Sequence, residues 1–215
     1  MTRPPARPKI YHITHIDNVP SIVAADGLSS DSDMSHNAGS HTQIGMQGIK
    51  QRRLALPVKC HNGDHVGGYV PFYFGPRSIM LYLIYKANHP NLAYRGGQEP
   101  IVHLEVDLTQ TIEWAAKERR RWAFTLSNAG AAYTEFRKDV DQLSEVNWEA
   151  VRAIDFRDPE ISEGKQAEFL IQGFFPWSLV QRIGVHSTRI QSRVLRALDG
   201  ASHRPPVEVI LDWYY

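Results

Sequence analysis

Cysteine is nearly missing from this chain of 215 residues, which contains only Cys60. A single thiol cannot form an internal disulfide, and such usage is typical of proteins from a reducing compartment. No stretch reaches the roughly 18 apolar residues that a membrane-spanning helix needs, and the N-terminus lacks the apolar core of a signal peptide. The net charge of +1 provides no overall field toward nucleic acid or membrane. From these absences we expect a cytosolic protein with no membrane partner.

Several common catalytic motifs are also absent. The sequence has no G-x-x-x-x-G-K-[ST] loop, no G-x-G-x-x-G turn after a strand, no G-x-S-x-G elbow and no H-E-x-x-H helix. Any nucleotide is therefore not bound in the P-loop or Rossmann manner. The segment CHNGDH, residues 60–65, gathers metal-ligand side chains, but no second cluster at zinc-like spacing accompanies it. We interpret it as a polar surface loop and predict no metal site.

The composition is that of an ordinary soluble globular protein, with 42% hydrophobic and 22% charged residues. We expect a disordered proline-rich leader at residues 1–9 and a single domain at residues 10–215. Short strands alternate irregularly with modest helices, which predicts an α+β fold around a central sheet rather than a doubly wound parallel one. The predicted elements include the strands IYHITHI, YVPFYF, RWAFTL and a half-buried PIVHLEVDL, and a helical segment in which Phe136, Val140 and Leu143 recur.

The stretch QAEFLIQG places a glutamate inside an otherwise apolar strand. Ala167, Phe169 and Ile171 suit a core, while Glu168 points to the opposite face together with Gln166. The flanking residues indicate a central strand, where a buried charge without a partner would be costly. A carboxylate that faces a cleft can offset an oxocarbenium-like transition state and bind a ribose hydroxyl. Gln-x-Glu is therefore a candidate site.

Three other segments each allow a structural and a functional interpretation. The basic run KERRRW, residues 117–122, is either a solvated helix end or a phosphate-contacting surface with Trp122 as a stacking partner. His12 and Thr14 share one face of a strand, either as a polar pair or as a strand end that binds a small molecule. The arginines of QRR, residues 51–53, would also suit a helix C-terminus.

Taken in order, six blocks of this sequence resemble the DarT toxins, nearly from end to end. The blocks are IYHITHIDN, QRR, YVPFYFGPRSIMLY, GGQEPIVHLEV, KQAEFLIQGFFPW and DWYY. DarT toxins are NAD-dependent DNA ADP-ribosyltransferases of bacterial toxin–antitoxin systems. The resemblance implies the ADP-ribosyltransferase fold, in which a split central β-sheet and surrounding helices form a NAD cleft. It also implies transfer of ADP-ribose from NAD, the co-substrate, to thymidine in single-stranded DNA in the bacterial cytoplasm.

The resemblance further implies roles for single residues and for partners. A related branch modifies guanosine, and the antitoxin of the family carries a macrodomain that removes the mark. A loop at residues 35–53 would fold over NAD, and Arg52 is the neighbour with which the catalytic arginine could be confused. The implied catalytic residues are Glu168 and Arg53, the NAD contacts are His12, Ile13, Thr14, Ser21, Ser29 and Arg53, and the expected DNA contacts are Arg77, Arg119 and Arg120.

Arginine is almost always charged, so we hypothesise that Arg53 stabilises a deprotonated base instead of removing its proton. Two rival functions stay open from the residues alone. One is an NAD-dependent enzyme of similar fold that removes a 2′-phosphate from RNA. The other is a non-catalytic module that binds single strands through aromatic and basic residues.

Overall fold

The computed structural model describes residues 3–34 and 41–215, and a large sheet forms its centre. No helix among these residues is long and apolar enough to cross a membrane. The strands are β1 Lys9–His15, β2 Gly27–Ser29, β3 Tyr69–Tyr73, β4 Ile101–Asp107, β5 Trp122–Asn128, β6 Phe136–Arg137, β7 Ala167–Gln172, β8 Phe174–Pro176, β9 Val180–Val185 and β10 Val207–Val209. The helices are α1 Val19–Ala24, α2 Asp31–Met34, α3 Gln47–Ala55, α4 Ile79–Lys86, α5 Leu108–Lys117, α6 Trp148–Arg152, α7 Pro159–Gly164 and α8 Thr188–Ala197.

The central sheet has eight strands in the order β10-β9-β4-β1-β3-β7-β5-β6, and β2 pairs with β8 in a separate ribbon. Only β9 and β10 run parallel, and the other neighbours in the large sheet are antiparallel. The prediction of an α+β fold is confirmed, because a mostly antiparallel sheet with helices packed around it is that class. The strand that carries Glu168, β7, lies between β3 and β5, as its apolar neighbours predicted.

The sheet is split between β1 and β3, which pair at one position, Tyr11 opposite Tyr73. Pro71 explains the break. Its carbonyl faces β1, where it accepts a hydrogen bond from Nδ1 of His12 at 2.9 Å. In an antiparallel strand the N–H and C=O of one residue point to the same side, and proline has no N–H to offer. The ladder therefore stops at Pro71, and the two halves of the sheet separate there.

Strand β4 is buried on both faces, unlike the half-buried strand that its alternation predicted. Val102, Leu104 and Val106 pack into the main core with α8, while Ile101 packs on the other face with Trp213 and Tyr214. The carboxylate of Glu105 accepts hydrogen bonds from Arg182 at 2.9 Å and 3.1 Å and from the Tyr11 hydroxyl at 3.1 Å. The polar positions of β4 thus reflect internal partners instead of exposure to solvent.

One predicted helix differs from the structure. The helix predicted from Phe136, Val140 and Leu143 is wrong. Phe136 begins the edge strand β6 opposite Thr125, and a 3-10 turn with Val140 half-exposed follows at Val140–Glu145. Pairing with β5 overrides the helical spacing, since the local pattern contains no information about a distant strand.

At the N-terminus, strand β1 begins at Lys9, whose ammonium forms an ion pair with Asp107 at 2.9 Å. Residues 1–2 of the expected leader lie outside the described residues.

Candidate active site

A cavity of about 370 Å³ opens where the sheet splits. This volume lies within the range of small-molecule pockets. Its walls come from the end of β1, helix α1, strand β2, helix α2, the segment 41–45 and strand β3. The structure brings the following predicted co-substrate contacts together on this cavity: His12, Ile13, Thr14, Ser21 and Ser29.

His12 enters the cavity wall as a neutral imidazole. A carbonyl can only accept, so the 2.9 Å bond to Pro71 requires the proton on Nδ1 and leaves Nε2 as an acceptor. Burial lowers the pKa of His12, and the bond to Pro71 opposes this effect only in part. The neutral ring can therefore accept a hydrogen bond from a ligand hydroxyl.

The predicted catalytic pair lies beside this cavity. Arg53, near the end of α3, donates from Nη1 to both carboxylate oxygens of Glu168, at 3.1 Å to Oε1 and 2.9 Å to Oε2. Both residues are almost completely buried, at 9% and 4% exposure. Arg52 is exposed, so the geometry selects Arg53 from the two neighbouring arginines.

The charge of Arg53 is strongly held. Burial alone would lower the pKa of Arg53, but the charge and hydrogen bonds of Glu168 outweigh this and raise it above its ordinary value. Its Nη2 is buried and has no hydrogen-bond partner among the described residues. A buried donor without a partner is costly. This nitrogen is therefore a place where an acceptor atom of a substrate would be stabilised.

A turn at residues 128–130 supplies a further donor to Glu168. The backbone N–H of Ala129 donates to Oε1 of Glu168 at 3.2 Å. The turn is held by Asn128, whose Oδ1 accepts from the N–H of Gly130 at 2.7 Å and whose Nδ2 donates to Gln166 at 3.0 Å. Gln166 thus binds the turn instead of facing a ligand. The backbone donor at Ala129 has no side-chain signature, so the sequence offered no way to find it.

Tyr73 connects the cavity with the ion pair. It lines the cavity and lies opposite Glu168 in the β3–β7 register. Burial raises the pKa of its phenol, and the charge of Glu168 raises it further. The hydroxyl therefore stays protonated and neutral near Glu168 and Arg53. The sequence predicts Tyr73 only as a residue of the strand YVPFYF and indicates no functional role for it.

Arg77 lies at the same end of the sheet as Glu168. It follows β3 and stacks on the ring of Tyr215, with its guanidinium carbon 4.7 Å from the ring centre. Its Nε is buried without a partner among the described residues. Lys165, three positions before Glu168, donates to the carbonyls of Val151 and Ala153, and burial together with Arg77 lowers its pKa to about 8. Both cations line a second cavity of about 580 Å³, with Arg7, Lys9, Arg152 and Asp212 also in its wall.

Arg119 and Arg120 lie at the opposite end of β7. Arg120 donates to the carbonyl of Gln172 at 3.2 Å, and Arg119 has a positive φ of 55° in the turn after α5. Gln172 is four residues along the strand from Glu168, a separation of about 13 Å at the usual rise of a strand. The structure therefore does not bring these arginines together with Arg77.

Side chains of the segment CHNGDH form contacts with other parts of the protein. His61 Nε2 donates to the carbonyl of Trp122 at 2.8 Å, and Asp64 pairs with Arg121 at 2.7 Å. Among residues 3–34 and 41–215 no group of three or more histidine, cysteine, aspartate or glutamate side chains could hold a metal ion.

Comparison with known proteins identifies what this chain is similar to. The model of a family described as "ssDNA thymidine ADP-ribosyltransferase, DarT" matches residues 11–215. A DNA ADP-ribosyl transferase of Thermus sp. (strain 2.9) is 39% identical over 211 residues, which cover 96% of this chain and 95% of the relative. The solved structure of Thermus sp. 2.9 DarT in complex with ADP-ribosylated ssDNA has a TM-score of 0.89 at 36% identity and 100% coverage of both chains. The same Thermus protein in complex with NAD+ has a TM-score of 0.82 at 34% identity, covering 99% of this chain and 100% of that one.

Removal of one member of the buried ion pair should strongly destabilise the fold. Glu168→Ala leaves Arg53 buried without its partner, and we expect the free energy of unfolding to fall by about 3 kcal/mol or more. The double variant Arg53→Met/Glu168→Ala should lose less than the sum of the losses of Arg53→Met and Glu168→Ala, because no charge remains unpaired. Urea denaturation of the singles and the double measures this coupling. Asp155→Ala, which opens the exposed pair with Arg157, is the control and should change little. Simple additivity at Arg53 and Glu168 would contradict the interpretation.

Proposed function

We propose a function from one premise: this chain belongs to the DarT family of ssDNA thymidine ADP-ribosyltransferases, whose model spans residues 11–215. The protein transfers ADP-ribose from NAD to thymidine in single-stranded DNA and releases nicotinamide. The observation that carries this proposal is the buried Arg53–Glu168 pair next to a cavity lined by His12 and Thr14. The pair supplies a carboxylate for the ribose and a guanidinium for the acceptor base.

NAD occupies the cavity in the split of the sheet. His12 Nε2 accepts from a hydroxyl of the co-substrate, and Thr14, Ser21 and Ser29 provide polar contacts along the wall. Nicotinamide leaves as a neutral ring, so positive charge develops on the ribose. Glu168 accepts from the ribose 2′-hydroxyl and offsets that charge, while Arg53 keeps its bond to the carboxylate.

The thymine base binds at the free nitrogen of Arg53. The bond between ribose C1′ and nicotinamide breaks, a bond from C1′ to thymine N3 forms, and the N3 proton is released to solvent. Arg53 is unsuited to take that proton, because Glu168 raises its pKa above the ordinary value. Its Nη2, which has no partner among the described residues, instead donates to a thymine oxygen and stabilises the negative charge on the base.

The DNA backbone is bound by basic residues at the Glu168 end of the sheet. Arg77 has no ion-pair partner among the described residues and stacks on the ring of Tyr215, so its charge is available to a phosphate. Arg119 and Arg120 are proposed as a second contact, about 13 Å along β7, for nucleotides farther from the target. The base must be unpaired to reach Glu168, which suits a single strand.

The same family resemblance supports a biological setting. The protein acts in the bacterial cytoplasm as the toxin of a toxin–antitoxin system, and its partner is an antitoxin with a macrodomain that removes the modification. The description of the family model names thymidine, which supports thymidine over guanosine as the modified nucleoside.

An oligonucleotide assay tests the proposed reaction. Incubation with NAD and a single-stranded oligonucleotide that contains one thymidine should add the mass of one ADP-ribose and release one equivalent of nicotinamide. The matched oligonucleotide with cytidine at that position should stay unmodified. Removal of a 2′-phosphate from RNA would support the phosphotransferase instead, and DNA that is bound but unchanged would support a non-catalytic module.

Arg53→Lys tests the need for the guanidinium. Lysine keeps one charge but cannot hold Glu168 and a base oxygen at the same time, so we expect kcat to fall by about a hundredfold or more. NAD affinity, measured by calorimetry, should change much less. Arg52→Lys is the matched control, because this neighbouring arginine is exposed. Near-normal kcat for Arg53→Lys would overturn the role given to the guanidinium.

The salt dependence of binding tests the DNA contacts. Arg77→Gln should weaken binding of single-stranded oligonucleotides of any sequence and reduce the slope of log K against log salt by about 0.7. Arg119→Gln/Arg120→Gln gives the corresponding value for the second contact, and the exposed Arg204→Gln serves as the control. An unchanged slope for Arg77→Gln would exclude a phosphate contact at this residue.

A further inference from the structure

The side chain of Asn18 forms hydrogen bonds that connect strand β1 with the segment 41–45, and both contribute to the cavity wall. Its Oδ1 accepts from the backbone N–H of Thr42 at 2.8 Å, and its Nδ2 donates to the backbone carbonyl of Thr42 at 2.9 Å. The second proton of Nδ2 goes to the hydroxyl of Thr14 at 3.0 Å. Asn18 is 8% exposed, and its amide oxygen and both amide protons take part in these bonds.

These bonds join residues that surround one ligand space. Thr14, Asn18, Ser21 and Thr42 all line the cavity. The hydroxyl of Ser21 also donates to the backbone carbonyl of Asn18, at 2.8 Å. Asn18 therefore connects two proposed NAD contacts, Thr14 and Ser21, with the segment that passes over them.

The segment 41–45 has few other attachments. It contains no helix or strand, and among the described residues its only hydrogen bonds are the two between Thr42 and Asn18. Ile44 adds apolar packing against the cluster that contains Tyr11 and Ile13. Within the described part of the chain, the hydrogen bonds that hold Thr42 over the cavity therefore come from one amide side chain.

We propose that Asn18 is a positioning residue that holds the segment 41–45 against NAD and thereby sets NAD affinity. The inference rests on the proposed function, because it requires NAD in this cavity. Asn18 has no hydrogen bond to Arg53 or Glu168, which lie beyond Tyr73. Its loss should therefore weaken binding of NAD and leave the chemical step intact once NAD is bound.

An amide is the side chain that this position requires. Thr42 presents one backbone donor and one backbone acceptor, and asparagine offers a matching acceptor and donor from one planar group. Aspartate has the same shape and can still accept from the Thr42 N–H. It lacks the N–H donors, however, so its carboxylate would face the Thr42 carbonyl without a proton between the two oxygens. Alanine leaves both backbone groups of Thr42 without their partner.

Kinetics, binding and hydrogen exchange of Asn18→Ala and Asn18→Asp test this role. We expect the Kd for NAD without DNA, and the KM for NAD, to rise by about tenfold in both variants, since each loses hydrogen bonds to the partly buried backbone of Thr42. The kcat at saturating NAD should stay within about twofold. Amide exchange at residues 41–45 should be faster in both variants than in the parent protein. Asn91→Ala, an exposed asparagine in another loop, is the matched control.

Each outcome supports or overturns the inference. An unchanged KM for NAD with unchanged exchange at residues 41–45 overturns it, and so does a fall in kcat without a rise in KM. If Asn18→Ala does not fold, Asn18→Asp, which keeps the shape of the side chain, gives the same readouts. Rapid exchange of the Thr42 amide in the parent protein would also overturn it, whatever the variants do. If the parent protein itself binds no NAD, the proposed function fails. The exchange measurement would still show whether Asn18 holds the segment 41–45 in place.

Discussion

The buried ion pair between Arg53 and Glu168 is the interaction on which the candidate site depends. A carboxylate inside a central strand is tolerated because a guanidinium and a backbone N–H offset its charge. This requirement brings three parts of the chain together, namely the end of α3, the start of β7 and the turn at residues 128–130. A Cβ at Gly130 would lie 3.8 Å from Cγ of Arg53, so the turn lies close to both members of the pair. In the same arrangement, Nη2 of Arg53 has no hydrogen-bond partner within residues 3–34 and 41–215, so it can donate to an acceptor atom.

A second constraint places the cavity between β1 and β3 next to that pair. Pro71 cannot donate toward β1, so the sheet separates, and His12 binds the proline carbonyl with its ring instead. Tyr73, two residues later on the same strand, lies opposite Glu168 and also lines the cavity. One short strand therefore carries both the break that opens the cavity and the ring that lies beside the proposed catalytic carboxylate.

The sequence predicted what depends on local pattern and missed what depends on distant partners. The alternation of Ala167, Phe169 and Ile171 was enough to place Glu168 on a central strand. The family resemblance implied Arg53 as a site residue but not as the partner of Glu168, because the spacing of residues contains no information about a contact 115 positions away. The Ala129 N–H and the amide of Asn18 act through backbone groups and leave no motif. Phe136 was assigned to a helix because its pairing with β5 is invisible in a local window.

We propose that Glu168 acts on the ribose of NAD during bond cleavage. The decisive experiment measures the rate of nicotinamide release by Glu168→Gln together with its Kd for NAD. Glutamine keeps the size of the side chain but has no negative charge to offset a sugar cation. We expect NAD still to bind while the release of nicotinamide slows by about a hundredfold or more. Release at the parent rate by a protein that binds NAD normally would contradict it.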